Sequence, residues 1–405
     1  MKILYITQWF DPEPTPKGLF FVKKLISMGH EVKVLTSIPN YPIGKFYPGY
    51  KFNLYKSEIL DEVEVFRVPL FPSHDQSTFK RIITYLTFSI TSFIFGISLS
   101  RKVDLIYAYH PPNVGLVAYL LSKIRKIPYV HDVQDLWPDT FLSTSMIKKR
   151  KVLNLIDFFT QFIYRKASSI IAISPGFKDK LIQRGIKEEK VTVIYNWCDE
   201  KNINNYNQND NKFLSKEKFN IVFARNIGKA QDLRSVMKAA KELQNLNKNI
   251  RFSLIGDGVE LKELEEFKKE KNIENVEFIP RVSSNEIGAY LSSADVLLVH
   301  LKDDSLFKIT IPSKVQAYLS SGKPILSNVS GDAEDLIEKA EAGITVLSKN
   351  TEDFIAACIK LANTDKKELK NIGLKGKKYY EKNLSLECGT LKTHNLFRDV
   401  IKNNN

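Results

Sequence analysis

One alternation runs through this chain twice and limits what it can fold into. Short apolar runs, KILYIT, VKVLTS, VEVFRVPL, DLIYAYH, IPYVHDV, SSIIAIS and KVTVIYN, are separated by amphipathic stretches such as GLFFVKKLISMGHEV, NVGLVAYLLSKIRK and LNLIDFFTQFIYRKA. The short runs predict strands and the longer 3.6-residue patterns predict helices. Strands that alternate with helices predict a parallel sheet covered on both faces. A polar, Asn-rich stretch, CDEKNINNYNQNDNKFLSKEKFN, interrupts the pattern, which restarts with NIVFARN, IRFSLIGDG, VEFIP, DVLLVHL and PILSN. A chain of 405 residues also exceeds one hydrophobic core. The expected fold is therefore α/β, with two Rossmann-like, doubly wound domains over residues 1–198 and 220–380. A linker over 199–219 joins them, and a C-terminal helix over 381–405 crosses back to the first domain. Open sheets of this kind bind ligands beyond the carboxyl ends of their strands, so two domains facing across a cleft would offer two opposed binding edges.

Charge is uneven along the chain. Residues 1–190 carry 27 Lys and Arg against 16 Asp and Glu, a net +11, whereas the remainder carries 33 against 30, a net +3. A basic first half predicts an anionic surface as partner. No zinc finger, RNA-recognition motif or basic heptad helix is present, so nucleic acid is not expected. The three cysteines, Cys198, Cys358 and Cys388, are too scattered for a disulfide framework or a zinc cluster and fit a reducing cytoplasm. The opening MKILYITQWF reads as a buried strand rather than a signal peptide.

Residues 82–100 form nineteen consecutive uncharged positions, the lower limit for a membrane span. The strand DLIYAYH follows within a few residues and must rejoin the same sheet, so the segment is read as a helix docked on the domain. Thr84, Thr87, Thr91 and Ser98 form a stripe suited to packing on protein. Phe88, Phe95 and Leu99 are expected to enter a lipid interface, with Arg81, Arg101 and Lys102 at its headgroups. The basic run KKRK, which begins with Lys148 and Lys149, leads into a second interfacial helix. These features predict a cytoplasmic protein held peripherally at the inner face of the cell membrane.

Several longer segments carry a more specific resemblance. LIGDGVELKEL, NVEFIPRVSSNEIGAYLSSADVLLVHL, IPSKVQAYLSSGKPIL and GDAEDLIEKAEAGITV stand in order in the second half. SIPNYPIGKFYPGYK, VPLFPSHDQSTFKRIITYL, HDVQDLWPDT, SPGFKDKLIQRGI and VIYNWCDE stand in the first. Together they resemble retaining, nucleotide-sugar-dependent glycosyltransferases of the GT-B fold, family four. Within that family they are similar to the branch that builds bacterial O-antigens and capsules with fucosamine- or quinovosamine-type N-acetyl sugars. The resemblance spans nearly the whole chain. It implies transfer of a sugar from a UDP-sugar donor to a polyprenyl-diphosphate-linked saccharide acceptor, with no metal and no cofactor beyond the donor itself. It also implies front-side attack assisted by the departing phosphate. A nucleotide-sugar epimerase or soluble glucan synthase of the same fold, and a non-catalytic sugar-nucleotide-binding subunit at the membrane, are the alternatives.

Individual positions follow from these two lines of reading. Gly256 and Gly258 around Asp257 mark either a tight strand-to-helix turn or a backbone left bare for a nucleotide. In FKITIPSKVQAYL, Pro312 suits the first turn of a helix that Thr310 or Ser313 caps, and its free N–H groups, with Lys308 and Lys314, suit a diphosphate. The resemblance places Val282 at the donor base. It places Lys308 and Gln316 where many members have a Glu-x7-Glu pair; Gln316 retains the ability to bond a ribose hydroxyl, whereas Lys308 cannot accept a hydrogen bond. Asn226 and Gln231 replace a family Arg and Lys, so Arg225 or Lys229 beside them is expected to grip the diphosphate. Gly18, ahead of the first predicted helix, completes the donor-binding set. In HDVQDLWPDT, Asp132, Asp135 and Asp139 cluster at a strand end, and Asp135 is the candidate acid/base toward the acceptor, against the plainer reading of a turn cap. His110, after DLIYAY, ranks second and His74 lower.

Overall fold

A computed structural model describes residues 1–73, 78–143, 147, 149–204, 217–246, 248–346 and 351–404. The chain divides into two compact units, one of Met1–Tyr195 with Gly389–Asn405 and one of Asn196–Cys388. Of the expected linker, residues 205–216 lie outside the described residues, while Glu200–Asn204 form a short helix of the second unit.

The first unit is built on strands β1 (Lys2–Thr7), β2 (Glu31–Ser37), β3 (Lys56–Leu60), β4 (Val63–Val68), β5 (Leu105–Tyr109), β6 (Tyr129–Val133), β7 (Ser169–Ala172) and β8 (Val191–Val193). Their order in the sheet is β3-β4-β2-β1-β5-β6-β7-β8. Every pairing is parallel except that of β3 with β4. β1 and β5 are in register from Ile3 opposite Leu105 to Thr7 opposite Tyr109. The chain winds outward from β1 through β2 to β4, then resumes at β5 and winds the other way. The connections after β1 and β5 therefore diverge, which opens a crevice at their carboxyl ends. All five residues of β5 and of β6 are buried, which is why β5 reads as a continuous apolar run. The sequence pattern does not reveal β3, a half-exposed edge strand whose pairing partner determines it.

Helices α1 (Leu19–Ser27), α2 (Thr78–Leu99), α3 (Pro112–Arg125), α4 (Asp139–Ser143) and α5 (Arg150–Lys166) belong to this unit. α2 is the uncharged segment. Thr87 accepts the Phe71 N–H at 3.0 Å and Thr91 donates to the Pro69 carbonyl at 2.8 Å, so the threonine stripe does pack on protein, with Thr84 buried. Ser98, at the far end of the stripe, is exposed. The exposed face differs from the one expected. Phe88 is buried, Phe95 stacks on Tyr55 with ring centroids 5.0 Å apart, and Leu99 is half-buried. Phe79, Ile82, Leu86, Ile90 and Ile94 are exposed instead, with Phe79 at 72% and Ile90 at 59%. Their spacing of three and four residues puts them on one stripe. By length and composition α2 is apolar enough to cross a membrane, yet it connects β4 and β5 of one sheet. Arg101, Lys102 and Lys149 are exposed and Arg81 is half-buried; Lys148 and His74 lie outside the described residues.

The second unit holds β9 (Phe219–Ala224), β10 (Ile250–Ile255), β11 (Val276–Ile279), β12 (Val296–His300), β13 (Ile325–Asn328) and β14 (Gly343–Thr345). They form a parallel sheet of order β11-β10-β9-β12-β13-β14. Its switch point lies between β9 and β12, where Ile221 pairs with Val296. Phe223, Leu254 and Leu298 of the strands pack with Val236, Met237 and Leu243 of the helix Leu233–Asn245 in one core cluster. The helix Ser313–Ser321 ends at Gly322, whose φ of 70° is the left-handed cap glycine favours.

Gly115 lets α3 lie on β6, because a Cβ there would stand 2.5 Å from the His131 ring and 2.6 Å from Ile163 Cγ2. Gly115→Ala is expected to cost roughly 1–3 kcal/mol by overpacking. Gly96→Ala, whose one close contact is the tip of the Leu121 side chain, is expected to cost less. Thermal denaturation of both variants checks the order.

Candidate active site

The switch point of the first unit sorts the three clustered aspartates. Asp132, still within β6, is fully buried and ion-paired with Lys17, whose side chain is equally buried. It also accepts hydrogen bonds from Tyr107 Oη and Gln134 Nε2, each at 2.5 Å. With these bonds made it is a structural anchor. Asp139 is held by Arg184, whose Nη1 also donates to the Trp137 carbonyl at 3.0 Å. Asp135, two residues beyond β6, keeps 46% of its side chain exposed. His110, one residue beyond β5, places Nε2 3.1 Å from its Oδ2. The two candidates, read separately from the sequence, form one pair. Crowding by protein pushes the Asp135 pKa up, but the charge and hydrogen bond of His110 outweigh that and hold it below the usual carboxylate value. An ionised carboxylate fixed by a histidine at a strand end can accept or orient a hydroxyl proton.

Glu13 is a neighbour that sequence reasoning missed. It is buried, and its carboxyl accepts the N–H groups of Phe10 at 3.1 Å and of Asn40 and Tyr41 at 2.7 Å each. It thereby ties the loop after β1 to the loop after β2. Burial, partly offset by those bonds, raises its pKa to about 7. A proton is thus held more tightly in the folded than in the unfolded state, so this contribution is complete below about pH 4.5 and is lost as pH rises through about 7. The effect amounts to roughly 3 kcal/mol. Glu13→Gln is expected to flatten the fall in stability over that window, as read by denaturant titration at several pH values.

Gly18 lies in this unit, ahead of α1, and not among the residues of the second unit's site. A Cβ on it would stand 2.2 Å from Asp11 Oδ2, the same oxygen that accepts the Leu19 N–H at 2.6 Å. The N-terminus of α1 is thus occupied by the chain's own carboxylate.

In the second unit, the glycines around Asp257 answer to backbone packing. A Cβ on Gly256 would stand 1.8 Å from the Arg225 carbonyl oxygen and one on Gly258 2.2 Å from that of Ile227. The loops after β9 and β10 press together there, which supports the turn reading. Asp257 is exposed and accepts the Gly258 N–H at 2.7 Å. Arg225 stands one residue past β9 with φ of 119°, a strained value for a residue with a side chain. Its Nη1 donates to Ser313 Oγ at 2.7 Å. Ser313 opens the helix Ser313–Ser321, which no side chain caps; Thr310, an expected cap, donates to the Leu306 carbonyl instead. Lys314 is 4% exposed, and its Nζ has no hydrogen-bond partner and sits 3.6 Å from the Phe223 ring centroid. Burial, then the Arg225 charge, lowers its pKa well below the usual value. An uncapped helix N-terminus flanked by a guanidinium and an unpartnered buried amine is built to take an anion.

The remaining donor candidates separate from this group. Arg225 and Lys229 are both exposed, and Arg225 is the one whose guanidinium bonds Ser313 at the helix start. Lys308 pairs with Asp303 at 2.9 Å. Gln316 is buried, and its amide, oriented to suit its surroundings, donates to the Pro312 and Ser313 carbonyls at 2.9 and 3.1 Å. Its NH2 group is thus spent within its own helix. Val282 is half-buried in the loop after β11. His300, at the end of β12, was not singled out from the sequence. Its ring nitrogens meet the Gln231 carbonyl at 2.8 Å and Asn328 Nδ2 at 3.1 Å, which fixes the turn after β9. Among the described residues no group of three His, Cys, Asp or Glu side chains could hold a metal ion.

If Lys314 is the core of an anion site, Lys314→Met should weaken binding of inorganic diphosphate by about tenfold or more, since a charge-assisted contact is lost. The same change removes a buried amine that has no hydrogen-bond partner, so the ligand-free protein is expected to melt at a higher temperature. Calorimetry and a thermal scan test the two effects together.

Comparison with known proteins bears on the fold and the family. Residues 21–197 match a family described as glycosyl transferase 4-like domain, and residues 205–379 match glycosyl transferases group 1. The protein named for colanic acid biosynthesis as glycosyl transferase WcaI, of Escherichia coli K12, is 28% identical over 80% of this chain and 82% of its own. Glycosyltransferase WbjE of Pseudomonas aeruginosa is 24% identical over 65% of this chain and 69% of its own. Among solved structures, sucrose-phosphate synthase of Thermosynechococcus elongatus superposes with a TM-score of 0.74 at 15% identity, covering 99% of each chain. Anabaena Alr3699/HepE, solved in complex with UDP, superposes with a TM-score of 0.70 at 16% identity, covering 98% of this chain and 100% of its own. A glycosyl transferase 4-like half followed by a group 1 half, on two sheets that are parallel but for one edge strand, makes this chain a glycosyltransferase of the GT-B fold.

Proposed function

We propose that this glycosyltransferase moves an N-acetylated hexosamine, of the fucosamine or quinovosamine type, from a UDP-sugar to a polyprenyl-diphosphate-linked saccharide. The product would enter a bacterial surface polysaccharide such as an O-antigen, a capsule or a lipopolysaccharide. The donor half of this reading is carried by Arg225, Ser313 and the unpartnered Lys314 at an open helix N-terminus. It gains support from the UDP and UDP-glucose complexes of Alr3699/HepE and from the relative named for colanic acid biosynthesis.

The reaction is read as retaining. The bond from the anomeric carbon to the diphosphate oxygen breaks while the acceptor oxygen bonds to the same face of that carbon. The acceptor proton passes to the departing phosphate oxygen. Negative charge grows on the diphosphate, where Arg225, Lys314 and the helix end hold it more tightly than in the ground state. These groups supply the positive charge that a divalent cation would, so no metal is invoked. Asp135, held by His110, orients the acceptor hydroxyl and its proton. A peripheral position at the inner face of the membrane is supported by the net +11 of residues 1–190 and by the exposed apolar stripe of α2.

Calorimetric titration with UDP and GDP, with and without EDTA, tests the donor half; selective binding of UDP that EDTA does not change is the expected outcome, and no binding of either would sink it. Asp135→Asn is expected to leave UDP affinity unchanged and to slow sugar transfer by about 10²-fold, the order that loss of a positioning contact costs. Slow hydrolysis of a bound UDP-sugar in the absence of acceptor distinguishes an enzyme from a binding subunit.

A further inference from the structure

The first unit carries more chemistry around His110 and Asp135 than the pair itself uses. Trp9, beyond β1, has its ring centroid 5.6 Å from His110 and 5.0 Å from that of Tyr41, which lies beyond β2. Tyr85, on α2, lies 5.6 Å from Trp137, which lies 4.7 Å from Phe141. Trp9, Tyr41, Tyr85 and Trp137 are all half-buried, so the core does not consume them. They come from four separate segments and converge on a carboxylate that is itself 46% exposed. Aromatic walls with one polar pair among them offer a pyranose what it needs: rings for its C–H face and a carboxylate for a hydroxyl.

α2 joins this enclosure to the surface. Arg81 and Tyr85 stand one turn apart and share a helix face. Tyr85 meets Trp137 on that face, and the Arg81 charge acts on both Tyr41 and Tyr85, whose pKa values burial raises and Arg81 lowers. Ile82 and Leu86, the next residues along, belong to the exposed apolar stripe. The first two turns of one helix thus present a cation and a ring to the enclosure and aliphatic side chains to the outside.

We propose that the enclosure is the acceptor subsite: one pyranose stacks on Trp9 and Tyr41 with a hydroxyl at Asp135, the phosphate that links it to lipid rests on Arg81, and the lipid chain leaves along Ile82 and Leu86. This rests on the reading of a lipid-linked acceptor given above and names the residues that would hold it. Sugar, phosphate and lipid each have their own contact, so the three contributions are separable.

The test uses the full chain and three probes: farnesyl-diphosphate-linked N-acetylglucosamine, farnesyl diphosphate, and N-acetylglucosamine 1-phosphate. The first should bind most tightly to the unaltered protein. Trp9→Ala and Tyr41→Ala should each weaken the sugar-bearing probes by about tenfold or more, as loss of an aromatic anchor does, and leave farnesyl diphosphate unchanged. Arg81→Gln should weaken all three, and Leu86→Ser only the two with a lipid chain. Trp9→Phe, which keeps a ring, should recover most of the loss. UDP binding, measured on every variant, should not change. Variants that bind all three probes as the unaltered protein does would overturn the subsite. So would failure of the unaltered protein to bind the first probe while it still binds UDP, an outcome that leaves the transferase reading standing. Absence of UDP binding as well would remove that reading and the subsite with it.

Discussion

The buried ion pair of Lys17 and Asp132 is the interaction on which the first unit's chemistry depends. Both side chains are withdrawn from water, and the lysine comes from the segment ahead of α1 while the aspartate comes from β6. Tyr107 of β5 and Gln134 complete the hydrogen bonding of the carboxylate. One charge pair therefore fastens the ends of three structural segments at the switch point of the sheet. A buried pair adds little net stability, but removal of either partner leaves a naked charge and typically costs about 3–5 kcal/mol. Asp135 stands three residues beyond Asp132, so its distance from His110 is set by this anchor. Glu13 plays the corresponding part for the loops after β1 and β2, with backbone N–H groups in place of a lysine.

The two units use one architectural device for different ends. Each sheet reverses its winding beside the first strand of its unit, and each gathers functional groups beyond the strands at that point. In the first unit the groups are a carboxylate, a histidine and aromatic rings. In the second they are cations and an open helix end.

Strand and helix periodicity made both sheets legible in the sequence, because parallel strands are buried on both faces and leave unbroken apolar runs. The edge strand β3 escaped because its residues alternate between half-buried and exposed. Among the candidate site residues, the positions of Asp135, His110, Ser313 and Lys314 just after strands or at a helix start were legible. Which of three aspartates remained available was not, since the partners of Asp132 and Asp139 lie 115 and 45 residues away. Glu13 and His300 sit in no motif; only their neighbours make them matter. The exposed face of α2 was misassigned for a related reason. The threonine stripe pointed to protein as expected, but several phenylalanines lie on its flanks, and only the packing against Tyr55 and the interior showed that Phe95 and Phe88 turn inward. The glycines around Asp257 also meet a neighbouring backbone, a packing requirement that no motif announces.

The solitary amine of Lys314 has a consequence for the life of the protein in the cell. A chain that keeps a buried amine without a hydrogen-bond partner is less stable empty than occupied, and binding of an anion by the native state alone adds RT ln(1 + [L]/Kd) to its stability. Occupancy and resistance to proteolysis are then coupled. Protein that sits idle opens more often and is degraded sooner, whereas protein with a full site persists. The abundance of the enzyme would follow the supply of its anionic ligand with no dedicated regulator.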